Sequence, residues 1–255
     1  MSTPLVFRAT DAAANAVNSN TVNLTVTAAG DPYWAGVLML LNGSDVITKD
    51  SSSFNRALST GGTPTYNAGI TIFGVRTYDI QPSPAASSYI ETVSTDSFVG
   101  TAMGSGEWCI EIAAIFNAAS VGGSNSLNSF SKFTMGRILA TNKITVNCSD
   151  IGGSSVVLTS TNTFATGTLH QIAFVRDNVT DPTFTILRLF VNGVQEASSG
   201  GISKAAIIGT SAGDKRFIGY ISAGWVGNFN NFRLTVGNAR YRANYTPPST
   251  PFPTS

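Results

Sequence analysis

Charge, histidine and cysteine are all scarce in this chain of 255 residues. Acidic and basic side chains make up 11% of it, the formal net charge is +1, and there are one histidine and two cysteines. So sparse and balanced a charge supplies no field to draw in nucleic acid or an anionic bilayer. No nucleic-acid partner is expected. No apolar run reaches the roughly 18 residues that cross a bilayer as a helix, so membrane insertion is not expected either. Met1-Ser2-Thr3-Pro4 leads into no basic segment followed by an apolar one, which reads as the lack of an export signal. With no Cys-x-x-Cys and a single imidazole, a zinc site of the usual kind is excluded. Cys109 and Cys148 each sit in an apolar-alternating run and read as buried strand thiols. Spacing alone leaves a disulfide between them open.

Helix formers are equally thin, with four Glu, five Lys and three Gln, and no window carries an uninterrupted helical stripe. Ser, Thr and Asn account for 79 of the 255 residues, so solubility rests on hydroxyls and amides. What remains is a series of short β-rich runs, at 37–41, 70–75, 89–93, 107–116, 132–139, 143–147, 156–159, 169–176, 184–191, 194–197, 215–221 and 225–236. Gly-, Ser- and Asn-rich breaks separate them, as in an all-β sandwich or barrel. Gly pairs such as Gly61-Gly62 and Gly200-Gly201 read as turns. Asn192-Gly193 is the clearest local signal, because both residues tolerate the positive φ of a type I′ hairpin turn and β formers flank them.

Residues 1–30 read as a separate unit: two strands, at 5–10 and 21–27, and then a linker. Two strands cannot bury a face alone. The segment resembles the last two strands of a bacterial immunoglobulin-like module. That implies a β-hairpin anchor whose Leu5, Phe7, Val22, Leu24 and Val26 pack against a partner chain or the main domain.

Residues 31–255 carry a second resemblance. Asp31-Pro32-Tyr33-Trp34-Ala35-Gly36-Val37-Leu38-Met39-Leu40-Leu41-Asn42-Gly43, followed by Asp50-Ser51-Ser52, is similar to the opening of concanavalin A-like, laminin-G-like domains of bacteriophage virion proteins. Cys109-Ile110-Glu111-Ile112-Ala113-Ala114-Ile115-Phe116 resembles one of their inner strands. His170-Gln171-Ile172-Ala173-Phe174-Val175-Arg176 and Leu187-Arg188-Leu189-Phe190-Val191-Asn192-Gly193 resemble a later pair. The most specific block runs from Gly227-Asn228-Phe229-Asn230-Asn231-Phe232-Arg233 through Ala239-Arg240-Tyr241 to Tyr245-Thr246-Pro247-Pro248 and Phe252-Pro253. The resemblance implies an all-β, two-sheet antiparallel jelly-roll sandwich, here with an N-terminal β-hairpin appendage. It also implies a place on the virion surface, after synthesis in the host cytoplasm.

Chemistry is harder to find. Glucanases of this superfamily use acids at alternate strand positions, and only Glu107 and Glu111 approach that pattern, with Cys109 where the central acid would stand. A retaining glycosidase needs two carboxyl groups about 5 Å apart with pKa values pushed in opposite directions. No catalytic residue is therefore assigned, and no enzyme is expected. His170 reads as a structural histidine bonded to a loop. Binding is the better class: Trp225 with Asn228, Asn230 and Asn231 forms a candidate glycan site, an aromatic face beside amides that read hydroxyls. The loop from Asn42 to Asp50 is a second candidate. Asn230-Asn231 replaces an acidic pair, so no cofactor is expected beyond at most a weak Ca²⁺. The resemblance thus implies a non-enzymatic phage surface protein, a capsid decoration or head-fibre protein, with a tail-fibre or baseplate adhesin as the alternative and a polysaccharide hydrolase as the weaker third reading. Expected partners are capsid or other virion proteins through the hairpin and host-surface glycans through the jelly roll. A homo-oligomer is compatible with this reading.

Overall fold

The computed structural model describes residues 9–10, 16–17, 30–43, 46–80, 88–92, 103–117, 124–130, 133–149, 155–207, 217–220 and 227–255. Their strands, in chain order, are β1 (Ala9–Thr10), β2 (Ala16–Val17), β3 (Val37–Leu41), β4 (Leu58–Gly61), β5 (Thr65–Ile72), β6 (Val75–Ile80), β7 (Ser88–Thr92) and β8 (Trp108–Phe116). There follow β9 (Ser124–Phe130), β10 (Phe133–Ile138), β11 (Lys143–Ser149), β12 (Ser155–Thr159), β13 (Leu169–Asp177), β14 (Phe184–Val191), β15 (Val194–Ser203), β16 (Phe217–Tyr220) and β17 (Gly227–Val236). One 3-10 turn, Trp34–Gly36, precedes β3.

Two antiparallel sheets hold most of these strands. The first has the order β12-β11-β10-β9-β16-β7-β4; the second has the order β15-β14-β13-β8-β17-β6-β5, with β3 also pairing to β17. Alternation explains how they meet. On β8, Trp108, Ile110, Ile112, Ala114 and Phe116 enter the main core, and on β11 Ile144, Val146 and Cys148 enter it from the other sheet. The intervening residues face away, as the period of two requires. Along one side the sheets are clasped by Glu196, whose carboxylate accepts from the Asn162 backbone N–H at 2.9 Å and from its amide at 2.9 Å.

The all-β expectation holds, and most anticipated runs coincide with strands. Asn192 (φ 52°) and Gly193 (φ 80°) form the tight hairpin, with Val191 paired to Val194. Cys109 and Cys148 are buried free thiols in different sheets. Burial pushes the Cys148 thiol up to about 12, against the opposing charge of Arg176. Three local readings are corrected. The run at 70–75 is a hairpin rather than a strand, with Phe73-Gly74 as its turn and Ile72 paired to Val75. Gly61, Gly200 and Gly201 lie in strands, not turns. In the N-terminal unit Ala9 pairs with Val17 and Thr10 with Ala16, tightening the hairpin into a stretch expected to be loop. Leu5, Phe7, Val22, Leu24 and Val26 lie outside the described residues.

Phe73 holds a φ of 54°, a left-handed conformation that costs a bulky L-residue and that asparagine visits readily. Phe73→Asn is therefore expected to stabilise the protein by about 1 kcal/mol, read as a higher urea midpoint at unchanged m-value.

After β17 the chain forms no further strand. Residues 237–255 run as an extended strap, rich in proline, which cannot donate ladder bonds. The strap's end returns to the start of the domain: the Asp31 N–H donates to the Ser255 carbonyl at 2.8 Å.

Candidate functional site

The two outer faces of the sandwich differ sharply. That of the second sheet is covered by the strap. Tyr241 and Tyr245 stack with centroids 3.6 Å apart and planes 5° from parallel, and both meet Phe190 edge-on. Beneath them lie Cys109, Ala173, Val175 and Ala239, while Phe252 seals Val37 and Leu40 further along.

Ion pairs fasten this cover. The Arg233 guanidinium donates to both oxygens of Glu111, at 2.7 and 2.8 Å, and to Asp31 at 2.8 Å. Its plane lies 3.6 Å from the Phe252 ring centre. From the strap, Arg240 donates twice to Asp31, at 2.9 and 2.7 Å, and the Tyr241 hydroxyl donates to Glu111 at 2.7 Å. Burial alone would raise the Asp31 pKa, but the Arg240 and Tyr33 N–H hydrogen bonds and the charges of Arg240 and Arg233 outweigh it and hold it low. Arg242 donates to both Glu107 oxygens at 2.9 Å, and Glu107 also accepts from the Asn178 N–H at 3.0 Å. Both carboxylates of the glucanase-like pattern are thus spent on holding the strap. An attacking carboxylate needs a free oxygen facing substrate, which neither arrangement offers.

The other anticipated residues also serve the fold. His170 is buried, its Nε2 2.7 Å from the Ala165 carbonyl and 3.0 Å from the Thr168 hydroxyl, which is the loop-bonded role expected of it. Burial, chiefly, lowers its pKa. The amides foreseen as surface readers of sugar are corrected: Asn228, Asn230 and Asn231 are each 1% exposed. Asn230 donates to the Arg76 carbonyl at 3.0 Å. Asn231, at φ 49°, donates to the Thr250 carbonyl and accepts from the Phe252 N–H, both at 3.3 Å, which ties the strap to β17. The Asn228 amide is shut inside the sheet opposite Asp79, its register partner on β6. Trp225 lies outside the described residues. In the loop after β3, Asp50 accepts from the Leu40, Ser52 and Arg56 backbone N–H groups and from the Ser52 hydroxyl, at 2.9 to 3.1 Å. It organises that loop from within. Among the described residues no three His, Cys, Asp or Glu side chains gather to hold a metal.

Among the described residues, no strap covers the outer face of the first sheet. By backbone register one cross-strand row runs through positions 157, 147, 134, 129, 217, 91 and 59 across all seven strands, and Val157, Asn147, Thr134, Glu91 and Ser59 are among its residues. A second row joins Thr159 to Thr145, whose hydroxyls lie 3.5 Å apart, and Gly136. Val157 is 58% exposed. Ser155 donates to Asn147 Oδ1 at 2.8 Å. Near the far edge Tyr89 faces outward from β7, since Ile90 beside it enters the core. Its ring lies over Gly61: a Cβ built there would stand 2.1 Å from Tyr89 Cζ. This face of hydroxyls and amides, with Tyr89 near one edge, is what reading the sequence missed. The signal was present in the outward residues of the Ser/Thr/Asn-rich strands, but only strand pairing assembles them.

No family model matches the chain, and no curated protein matches it. Solved structures match it in fold. The receptor-binding domain of botulinum neurotoxin C/D mosaic serotype superposes with a TM-score of 0.59 at 10% identity, over 82% of this chain and 49% of that one. The binding domain of Paraclostridial mosquitocidal protein 1 gives 0.56 at 13% identity, over 82% and 50%. The binding domain of botulinum neurotoxin DC, solved in complex with SialylT, gives 0.57 at 10% identity, over 80% and 48%. The chain spans about half the length of each of these proteins. At such identities the likeness is one of fold: an all-β domain of a kind found among toxin receptor-binding domains.

Proposed function

We propose that the protein is a non-catalytic carbohydrate-binding jelly roll displayed on the surface of a phage particle, with residues 1–30 as its attachment to the virion. The observation that carries the binding role is the contrast between the two outer faces. One is closed by a strap and its ion pairs. The other presents Ser, Thr and Asn side chains across a wide sheet, with an aromatic ring at one end. Hydroxyls and amides that both donate and accept suit the hydroxyls of a sugar, and an aromatic ring suits its apolar side. The acids that a glycosidase would need are engaged with arginines, which supports binding without hydrolysis. Fold neighbours that include receptor-binding domains, one of them solved with SialylT, agree with this reading. The virion context rests on the resemblance of Gly227 to Pro253, the segment that forms β17 and the strap.

The full chain should be retained by at least one glycan on a broad array. Placing bulky cations at both ends of this face, Ser59→Arg with Asn147→Arg, should abolish that retention while leaving the thermal midpoint unchanged. Undiminished retention would move the site elsewhere. No retention by the wild-type chain would end the binding proposal. Deleting residues 1–30 should leave glycan retention intact and remove the protein from purified particles.

A further inference from the structure

We infer that β12, the outermost strand of the first sheet, is a self-pairing edge, and that the protein forms a two-fold symmetric dimer joined there. The inference concerns association alone and holds whatever the outer face binds.

The sheets end on β12 and β4 and on β15 and β5. An edge strand offers a row of backbone donors and acceptors to any other chain, and folded proteins blunt such rows with bulges, charges, proline or very short strands. Most edges here are blunted. The ladder of β15 to β14 shifts register twice, and Gly200-Gly201 interrupts the strand, with φ 80° at Gly201. The ladder of β5 to β6 shifts between Asn67 and Thr71. β4 has four residues and ends on Gly61. β3, beside β17, is covered by its own loop, since the Ser51 N–H donates to the Leu40 carbonyl and the Leu40 N–H donates to Asp50. β12 differs. Its five residues, Ser155-Val156-Val157-Leu158-Thr159, pair with β11 in unbroken register and include no charge, proline or glycine.

The direction of its outer backbone groups follows from the ladder. The Ser160 N–H donates to the Ile144 carbonyl at 2.8 Å, and the pairs Val146 with Leu158 and Cys148 with Val156 are in step with that bond. Antiparallel pairs alternate, so Ser155, Val157 and Thr159 turn their N–H and C=O groups away from β11, toward the open edge. Among the described residues nothing bonds to those groups, and no strand but β11 pairs with β12. The side chains of the same three residues are exposed, Val157 at 58%.

The strand's own symmetry identifies the occupant as a second copy of this chain. Turned antiparallel upon itself about Val157, the segment sets Val157 against Val157 of the second copy, Ser155 against Thr159 and Val156 against Leu158. Each position meets its own kind, hydroxyl with hydroxyl on the outer face and aliphatic with aliphatic toward the core, as a self-complementary interface requires. The residues that turn their backbone groups outward are those that exchange ladder bonds in this register. Leu158 belongs to the core and Val156 packs against it, so the two cores run together across the joint. Assembly closes at two copies, because each chain spends its unblunted edge on the other.

Light scattering on the full chain should give twice the chain mass at micromolar concentration. Val157→Lys, which sets two ammonium groups against each other on the axis, should weaken association at least about a hundredfold with the near-ultraviolet circular dichroism unchanged. Val157→Pro removes an N–H that the β11 ladder does not use, and it should likewise give a folded monomer. Facing residues of a hydrogen-bonded antiparallel pair have Cα atoms about 5.5 Å apart, within the reach of a disulfide. Val157→Cys should therefore give a cross-linked dimer under oxidised glutathione, while Val194→Cys, at a site 47% exposed, should not. A wild-type monomer throughout the micromolar range, or a dimer that persists in folded Val157→Lys, would overturn the inference. Equal cross-linking of both cysteine variants would overturn it too.

Discussion

Replacing Arg233 with methionine is expected to cost the fold about 3–5 kcal/mol, the penalty of leaving buried carboxylates without their partner. Its guanidinium occupies both oxygens of Glu111 and one of Asp31, and the Arg233 side chain is 6% exposed. Removing it leaves Glu111 with the Tyr241 hydroxyl and a longer 3.5 Å approach from Arg240, while Asp31 keeps Arg240. The loss should appear first in the strap, because Arg233 also carries the Phe252 ring and Arg240 reaches the same acids from the strap itself. Trypsin should cut after Arg240 and Arg242 faster in the variant than in the wild type, before global unfolding. Glu111→Gln in the Arg233→Met background should recover part of the loss, since no charge is then stranded there. The acid side follows from Asp31, whose pKa is depressed in the folded state. Its stabilisation is present above the ordinary carboxylate range and is lost as pH falls below it, so the strap should loosen at low pH. A loss under about 1 kcal/mol on urea unfolding would show the network to be no stronger than exposed ion pairs.

The sequence made some of this legible and hid the rest for physical reasons. Strands that are near-continuous runs of apolar β formers, such as those at Val37–Leu41 and Phe184–Val191, were read with their observed limits. So was the Asn192-Gly193 turn, because its chemistry is local. β4 and β9 escaped, since Leu-Ser-Thr-Gly and Ser-Asn-Ser-Leu-Asn-Ser-Phe offer little apolar alternation, and their pairing with β7, β10 and β16 defines them instead. Phe73-Gly74 was passed over as a turn because phenylalanine is a poor candidate for positive φ. Glu107 and Glu111 were correctly placed near one another, yet their partners lie more than 120 residues away, at Arg233 and Arg242. The amides at 228, 230 and 231 looked exposed because polar residues usually are. Burial came from the bulge at Asn230 to Arg233 and from the strap, neither of which composition reports. Tyr89 drew no notice as a single tyrosine. Its place over Gly61 shows only once register pairs β7 with β4.

Arg176→Lys should destabilise the protein nearly as much as Arg176→Met, by about 3–5 kcal/mol from carbonyls left unpaired at about 1–3 kcal/mol each, because what matters there is the guanidinium's reach rather than its charge. Arg176 is fully buried on β13 and, among the described residues, forms no ion pair with a carboxylate. Its donors go to the Ala206, Lys204 and Gly104 carbonyls at 2.7, 2.9 and 3.3 Å, and to the Asn178 side chain at 3.3 Å. Four points of the chain converge on one planar cation, and three of them offer backbone oxygens. Burial pulls the Arg176 pKa down to about 10, which leaves it charged at neutral pH. A lysine ammonium is a single point of charge with three donors, and it cannot span carbonyls arranged for a planar fork. Burial would also favour its neutral form, which leaves more of those oxygens unpaired. Methionine fills the volume and supplies no donor, so each stranded carbonyl costs its own desolvation. Urea unfolding of the two variants should therefore give similar midpoints, both well below wild type. A near-native Arg176→Lys protein would mean that charge alone holds this end of the sandwich together.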